Sequence, residues 1–364
     1  MAAGPLLYSS IGMTIGGDLQ LVVFEWDFAN HTFGDPEIAV VGNEQCPAVD
    51  KPTLTQDLLG GLHVAFLGTV VSAPVCTASK TEFGPGEEWS EPVALTGPDG
   101  IADCSENCEF EGCDLNPIIR TAMPGAYGGA IYMTSEGAVV NEKDSTRNIC
   151  LWLGNALLWP PAWELVAVVA NVNPKGTHDA ANGELMRTWG ATTAFDIALD
   201  GTLVVAFTDR VVVGTEDRDH VFITYSDPGG AIWAEPREVS PGGDWEEFQP
   251  TVSAHDESGV WAVTFYSTER DPENQTAVDV LAVTATREAI FQRRRLTRDT
   301  PDGAVPFEPC ATTDRSYFGH YNGTAALPGV FRFYTAWGDS RLGCAQQGVL
   351  ADTYHQHVYG ARWR

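Results

Sequence analysis

One recurring pattern constrains the fold of this chain more than any composition figure. Phe33 begins FGDPEIAV, Trp89 begins WSEPVALT and Trp233 begins WAEPREVS. Each reads aromatic, any residue, acid, proline, then an apolar run. Weaker copies begin at Trp163 (WELVAVVA) and Phe291 (FQRRRLTR). A second piece precedes the central run of a unit: DKPTLTQD (50–57), LNPIIRTA (115–122), FQPTVSAHD (248–256) and HYNGTAALPG (320–329). The runs between them are short and β-rich, such as LHVAFLGTVV (62–71), GTLVVAFTD (201–209) and GVWAVTFYS (259–267). Gly, Pro, Asp and Asn bound them, and helical periodicity is scarce, which predicts an all-β chain. The period is roughly 50–70 residues, and repeats of that order holding several strands suggest propeller blades. A single unit cannot bury both sheet faces, whereas radially stacked neighbours cover each other. The expectation is a six-bladed β-propeller of four-stranded blades, with residues 1–364 as one domain. The six units fall approximately at 7–41, 48–96, 115–170, 192–240, 248–297 and 317–364.

Charge narrows the partners. The chain carries 21 Lys plus Arg against 49 Asp plus Glu, a net charge of −28. Such a surface repels nucleic acid and anionic membrane at long range. No apolar run reaches the roughly 18 residues that a spanning helix needs. The N-terminus MAAGPLLYSS lacks a basic region followed by a long apolar run, so a signal peptide is absent or already removed. Eight cysteines stand at 46, 76, 104, 108, 113, 150, 310 and 344. An even count in a long acidic chain predicts a secreted, disulfide-bonded protein. DCSENCEFEGCD (103–114) has three cysteines, but not the spacing of a zinc finger or ribbon.

Several of these segments resemble the sialidase-like (BNR-repeat) propellers. YSDPGGAIWAEPREVS (225–240) is similar to an Asp-box turn, with Gly230 and Trp233 where that superfamily places Gly and Trp, and Asp227 one position early. TEFGPGEEW (81–89) keeps Gly86 and Trp89 without the Asp. The stretch 249–270 and the last unit, with GHYNG, AWGDSR and VYGAR, also look like its blades. The resemblance implies that connections leading into each innermost strand share one face with those joining the second and third strands. The incoming connections are then 42–50, 97–116, 171–192, 241–250 and 298–320. The middle connections are 68–83, 134–147, 208–220, 267–279 and 338–356. Cys46 and Cys76 fall in the two connections of unit two, and Cys310 and Cys344 in those of unit six. Cys113 (or Cys108) is within reach of Cys150 in unit three.

That face collects the candidate site residues. Arg210, Arg270 and Arg341 end β runs as AFTDR, YSTER and WGDSR. Three arginines suit a substrate carboxylate, since planar guanidinium forks bind it bidentately. Recurrence at one blade position instead suggests ion pairs with the preceding acids Asp209, Glu269 and Asp339. The resemblance also implies an Arg-Ile-Pro element, but the chain has none, and its first unit lacks arginine altogether, which argues against sialic acid cleavage. RSYFGHYNGTAA (315–326) crowds Arg315, Tyr317, His320 and Tyr321 together. Arg stabilises a neighbouring phenolate and His exchanges protons near neutral pH. The expected catalytic set is Tyr321, His320 and Arg341. Arg315, Tyr317, Arg210, Arg270, Arg187 and Trp189 are the expected substrate-binding residues, the last two on the connection NPKGTHDAANGELMRTWG (173–190) with His178. DRDH (217–220) and DPEN (271–274) offer oxygen ligands for a structural calcium but lack EF-hand spacing. The expected partner is carbohydrate. The expected activity is hydrolysis or lysis of an acidic glycan, with a glycan-binding or assembly propeller as the alternative.

Overall fold

The structure is a computed structural model. It describes residues 6–13, 19–27, 29–68, 74–81, 88–95, 114–122, 129–138, 147–155, 161–174, 177–179, 185–187, 193–239, 243–255, 259–270, 272, 278–291, 293–297, 315–317, 322–327, 329–339 and 357–364. The chain divides into two compact units, Met1–Asn171 and Val172–Arg364.

In the first unit, β1 (Leu6–Met13) pairs β2 (Leu19–Asp27), whose other edge carries two short strands, β3 (Thr32–Phe33) and β4 (Glu37–Val41). The second sheet runs β5 (Asp50–Gln56), β6 (Leu62–Leu67), β7 (Val75–Lys80) and β8 (Val93–Ala94). The third runs β9 (Asp114–Thr121), β10 (Ile131–Ala138), β11 (Arg147–Asn155) and β12 (Ala162–Val172).

The second unit holds a fourth sheet, β15 (Thr193–Ile197), β16 (Leu203–Val213), β17 (Glu216–Ser226) and β18 (Arg237–Glu238). A fifth holds β19 (Glu247–Ala254), β20 (Trp261–Ser267), β21 (Asp279–Ala285) and β22 (Arg294–Arg295). The sixth shows β24 (Asn322–Ala326), β25 (Phe333–Asp339) and β26 (His357–Trp363) among the described residues. Each of these sheets is antiparallel, with strands in sequence order. A further small sheet joins β13 (Thr177–Asp179), β14 (Leu185–Arg187) and β23 (Arg315–Tyr317).

The strand sequences follow from burial on both faces. Every residue of β6, β19 and β20 is buried. LHVAFL therefore reads as a continuous apolar run rather than an alternation. Cores form between sheets: Val64 and Phe66 pack with Leu21 and Val23 of the first sheet, and Val263 and Phe265 with Val204 and Val221 of the fourth. Burying one such side chain contributes roughly 1.5–3 kcal/mol. The long β16–β17 hairpin turns on Gly214, whose φ of +66° suits a two-residue loop.

In three of its copies the second recurring piece carries a β-bulge. Asp50 pairs Leu67 and Thr53 pairs Ala65, so three steps oppose two. Phe248 and Thr251 do the same against Tyr266 and Thr264, and Leu115 and Ile118 against Glu136 and Thr134. Each bulge contains an X-Pro step, Lys51-Pro52, Gln249-Pro250 or Asn116-Pro117. Proline bars the preceding residue from the α region, and Lys51 and Gln249 take φ of +48° and +50°. Beyond the bulge, small polar side chains stitch neighbouring first strands that share no backbone ladder. Thr53 Oγ1 donates to Pro117 O (3.0 Å), Ala254 N to Asp196 Oδ2 (2.8 Å) and Ala326 N to Ser253 Oγ (2.9 Å).

Candidate functional site

The candidate residues fall into three groups. Tyr321, His320, Arg341 and Trp189 lie outside the described residues, as do Cys113, Cys310 and Cys344. Arg187, Arg315 and Tyr317 lie in the small sheet of the second unit. Arg210 and Arg270 lie on the fourth and fifth sheets.

The small sheet brings two distant connections together. β14 pairs β23 in parallel, with Leu185 opposite Arg315, Met186 opposite Ser316 and Arg187 opposite Tyr317. β13 pairs the other edge of β14, with His178 opposite Met186. Three-residue strands such as LMR and RSY carry no β-rich run, so both segments read as loops in sequence. The pairing joins the connection containing Arg187 to the one containing Arg315 and Tyr317.

Arg210 and Arg270 both meet acids, but not the ones that precede them. Arg210 Nη1 lies 3.5 Å from Asp217 Oδ2 across the β16–β17 hairpin. The Asp209 carboxylate turns to backbone instead, accepting from Asn173 N (2.7 Å) and Arg210 N (2.8 Å). Burial holds its carboxyl above the usual range, against those hydrogen bonds and the Arg210 charge. Arg270 Nε lies 3.2 Å from Asp279 Oδ2, which also meets Arg295 Nη1 at 3.4 Å. Glu269 pairs with Arg293. For Arg210 and Arg270 the ion pairs form with acids of adjacent strands, while Arg341 lies outside the described residues.

Sequence reading missed the most buried charges of this region. Asp219, Glu246 and Glu247 are fully buried, and His220 is nearly so. Glu246 Oε2 accepts from Asp219 N, and Glu247 Oε2 accepts from Val221 N at 3.5 Å. These two amides lie on the β17 edge beyond the end of β18, so carboxylates complete that sheet edge. Glu247 Oε1 also accepts from Trp245 Nε1 (2.9 Å), and Arg293 covers the Trp245 ring at 5.0 Å. Gly243 touches that ring so closely that a Cβ there would overlap it. His220 bridges the Glu238 carboxylate and Trp245 O. In a chain this acidic, DRDH and GDWEEF look like solvated surface. Asp217 and Asp219 of DRDH are taken up by protein contacts, and no group of three or more metal-ligating side chains is found among the described residues.

In the first unit, Cys46 and Cys76 form a disulfide that ties the connection into β5 to the start of β7. Cys150 is disulfide-bonded as well. A cleft of about 670 Å³ opens at the other end of the second and third sheets, lined by Asp57, Leu59, Gly154, Trp163 and Glu164 among others. Asp57 there is already committed: its carboxylate accepts from Leu59 N and Gly61 N and meets His63 Nε2 at 3.0 Å.

No protein-family profile and no curated protein matches the chain. Solved structures do. The Penicillium chrysogenum alpha-L-arabinanase complexed with arabinobiose aligns at 11% identity and a TM-score of 0.51, over 83% of this chain and 80% of its own. The Fusarium graminearum GH93 alpha-L-arabinofuranosidase with arabinobiose aligns at 10% identity and 0.52, over the same shares. Trypanosoma rangeli sialidase in complex with the inhibitor DANA aligns at 10% identity and 0.51, over 98% of this chain and 53% of its own. The fold is that of the sialidase-like six-bladed β-propellers. Identities this low carry the fold and nothing finer.

Proposed function

We propose that this chain is an extracellular carbohydrate-active enzyme that breaks an acidic glycan, by hydrolysis or β-elimination, at the connection-bearing end of its second unit. The observation that carries the reading is the β14–β23 pairing. It sets Arg187 in register with Tyr317, two strand positions from the Leu185–Arg315 pair. Two guanidinium-bearing residues and a phenol from separate connections thus share one small sheet. Arg187, Arg315, Tyr317 and Trp189 are the proposed substrate-binding residues. Tyr321, His320 and Arg341 are the proposed catalytic set: in elimination, Arg341 neutralises the uronate carboxylate, His320 or Tyr321 removes the C5 proton as the C4–C5 double bond forms, and Tyr321 protonates the oxygen that leaves C4. Arg210 and Arg270 remain in the proposed binding set, but their ion pairs with Asp217 and Asp279 support a structural share in that role.

Similar structures that carry arabinobiose or a sialidase inhibitor support a glycan ligand. The Cys46–Cys76 disulfide supports an oxidising compartment. The reading takes residues 1–364 as one domain with an Asp-box turn at 225–240, and proposes Cys113–Cys150 and Cys310–Cys344 as further bridges. One observation favours a second reading, a glycan-binding propeller without catalysis. Hydrolysis by two carboxylates needs one as acid and one as base or nucleophile, yet Glu246 and Glu247 spend oxygens on backbone amides.

The test is incubation with uronate-rich, sulfated and neutral polysaccharides, following reducing ends and the ultraviolet absorbance of an unsaturated product. New reducing ends from an acidic chain are expected, with the ultraviolet signal marking elimination. Binding without cleavage sends the answer to the second reading.

A further inference from the structure

One turn of the second sheet departs from its counterparts. The connection from β5 to β6 closes with Asp57 N donating to Gly61 O, as Ala198 N donates to Thr202 O in the fourth sheet and His255 N to Val260 O in the fifth. The two residues after the closing amide are Leu58-Leu59 in the second sheet, Leu199-Asp200 in the fourth and Asp256-Glu257 in the fifth. Leu58 and Leu59 are 43% and 79% exposed. The turn forms elsewhere with acids at these places, so its backbone does not demand leucine. The Asp57 carboxylate, which also meets His63, accepts from Leu59 N and Gly61 N, both at 2.8 Å, and pins the leucine pair in place. In a chain of net charge −28, a pinned pair of exposed leucines is apolar surface that the architecture does not require.

These leucines line the cleft of about 670 Å³, a volume within the range that holds a small molecule. The third sheet contributes Gly154 at the end of β11 and Trp163 and Glu164 at the start of β12. Trp163 packs so closely on Gly154 that a Cβ there would stand 3.0 Å from its ring. Trp89 and Trp233 open the same recurring pattern and donate their indole N–H to Glu37 Oε1 and Gly230 O, both at 2.8 Å. Trp163 Nε1 is buried without an acceptor among the described residues, which costs about 1–3 kcal/mol. Local rules broken at such a cost are expected where function sets the residue. Glu164 is exposed and meets no cation among the described residues.

We propose that this cleft binds a small molecule with an apolar body and a positively charged head, the body on Leu58, Leu59 and Trp163 and the head at Glu164. The site goes beyond the acidic-glycan reading and does not depend on it. A uronate or sulfated chain is a poor occupant, because Glu164 and the net charge repel it and leucine side chains offer it no hydrogen bonds. Burial of the body supplies most of the affinity. Glu164 supplies the choice of head, since complementary charge gives specificity more than strength.

The experiment is a ligand-observed NMR titration of the full chain with phenylbutylamine, phenylbutanol and phenylbutyrate, three probes that share a body and differ in head, at neutral pH and low salt. The amine is expected to bind best, the alcohol roughly threefold more weakly and the carboxylate weakest, with the preference shrinking as salt is added. Glu164→Gln should bring the amine level with the alcohol and leave the alcohol affinity unchanged. Leu59→Asn should weaken amine and alcohol alike by roughly fivefold, the order expected for losing part of one leucine contact. Its unfolding midpoint should match wild type, because Leu59 is exposed in the free protein. The proposal is overturned if no probe binds at millimolar concentration, or if Leu59→Asn binds the amine as wild type does. It is also overturned if the carboxylate or alcohol binds as well as the amine, or if Glu164→Gln keeps the preference for the amine.

Discussion

The second and fifth sheets solve the same problem with different chemistry. Each must hold its incoming connection against its middle connection. In the second sheet Ala48 N donates to Gly68 O, and the Cys46–Cys76 disulfide locks the contact across 30 residues. In the fifth sheet Thr268 N donates to Glu246 O (3.0 Å), Glu246 N donates to Thr268 Oγ1 (2.9 Å), and no cysteine is present. There the lock is made by the backbone of Glu246 and the amide and hydroxyl of Thr268, while the buried carboxylates of Glu246 and Glu247 bind the edge of β17. A polar tie consumes Glu246, Glu247, Trp245 and Arg293.

Breaking the ties should rank them. Cys46→Ser with Cys76→Ser should lower stability most, by about 3 to 4 kcal/mol for a loop of this length, measured by chemical denaturation. Glu247→Ala should cost about 3 kcal/mol, because it strands Val221 N and Trp245 Nε1 and removes one of the two acids that face Arg293. Glu247→Gln should recover part of that loss by keeping an acceptor. Thr268→Val should cost about 1 kcal/mol, the usual net worth of one hydrogen bond. Asp209→Asn should change stability least, by under about 0.5 kcal/mol or with a slight gain. It keeps the Oδ1 acceptor and removes a carboxylate whose ionised form burial disfavours.

Acid should loosen the second sheet. His63 is buried between Ser79 Oγ (2.9 Å) and Asp57 Oδ2 (3.0 Å), and burial lowers its pKa despite the pull of Asp57. A folded pKa below the unfolded value means that the fold favours the neutral ring. That stability is present above the unfolded pKa of about 6.5 and is lost as pH falls below it. Hydrogen exchange across that range should therefore loosen the second sheet, and His63→Gln should flatten the response. A pH-independent second sheet would place His63 outside the balance.

Much of the fold was legible in the sequence because it is local. The X-Pro steps at 51–52, 116–117 and 249–250 mark bulges, and the β-rich runs mark strands covered on both faces. The site was less legible because its decisive contacts are not local. The acids that meet Arg210 and Arg270 come from neighbouring strands, seven and nine residues away. Glu246 and Glu247 look like surface until β18 ends short of Asp219. The β14–β23 pairing joins segments 130 residues apart through strands too short to carry a β pattern. Where a residue is unusual for its own position, as with Lys51 in a strained bulge, sequence supplies the identity and only the backbone reveals the strain.

The most direct test of the central claim compares the wild type, Tyr321→Phe and Arg187→Ala on an acidic polysaccharide, with initial rates of chain cleavage and affinities for the uncleaved polymer. The account predicts cleavage by wild type, a loss of at least tenfold in rate with near-normal binding for Tyr321→Phe, and weakened binding for Arg187→Ala. Cleavage unaffected by either substitution would contradict it.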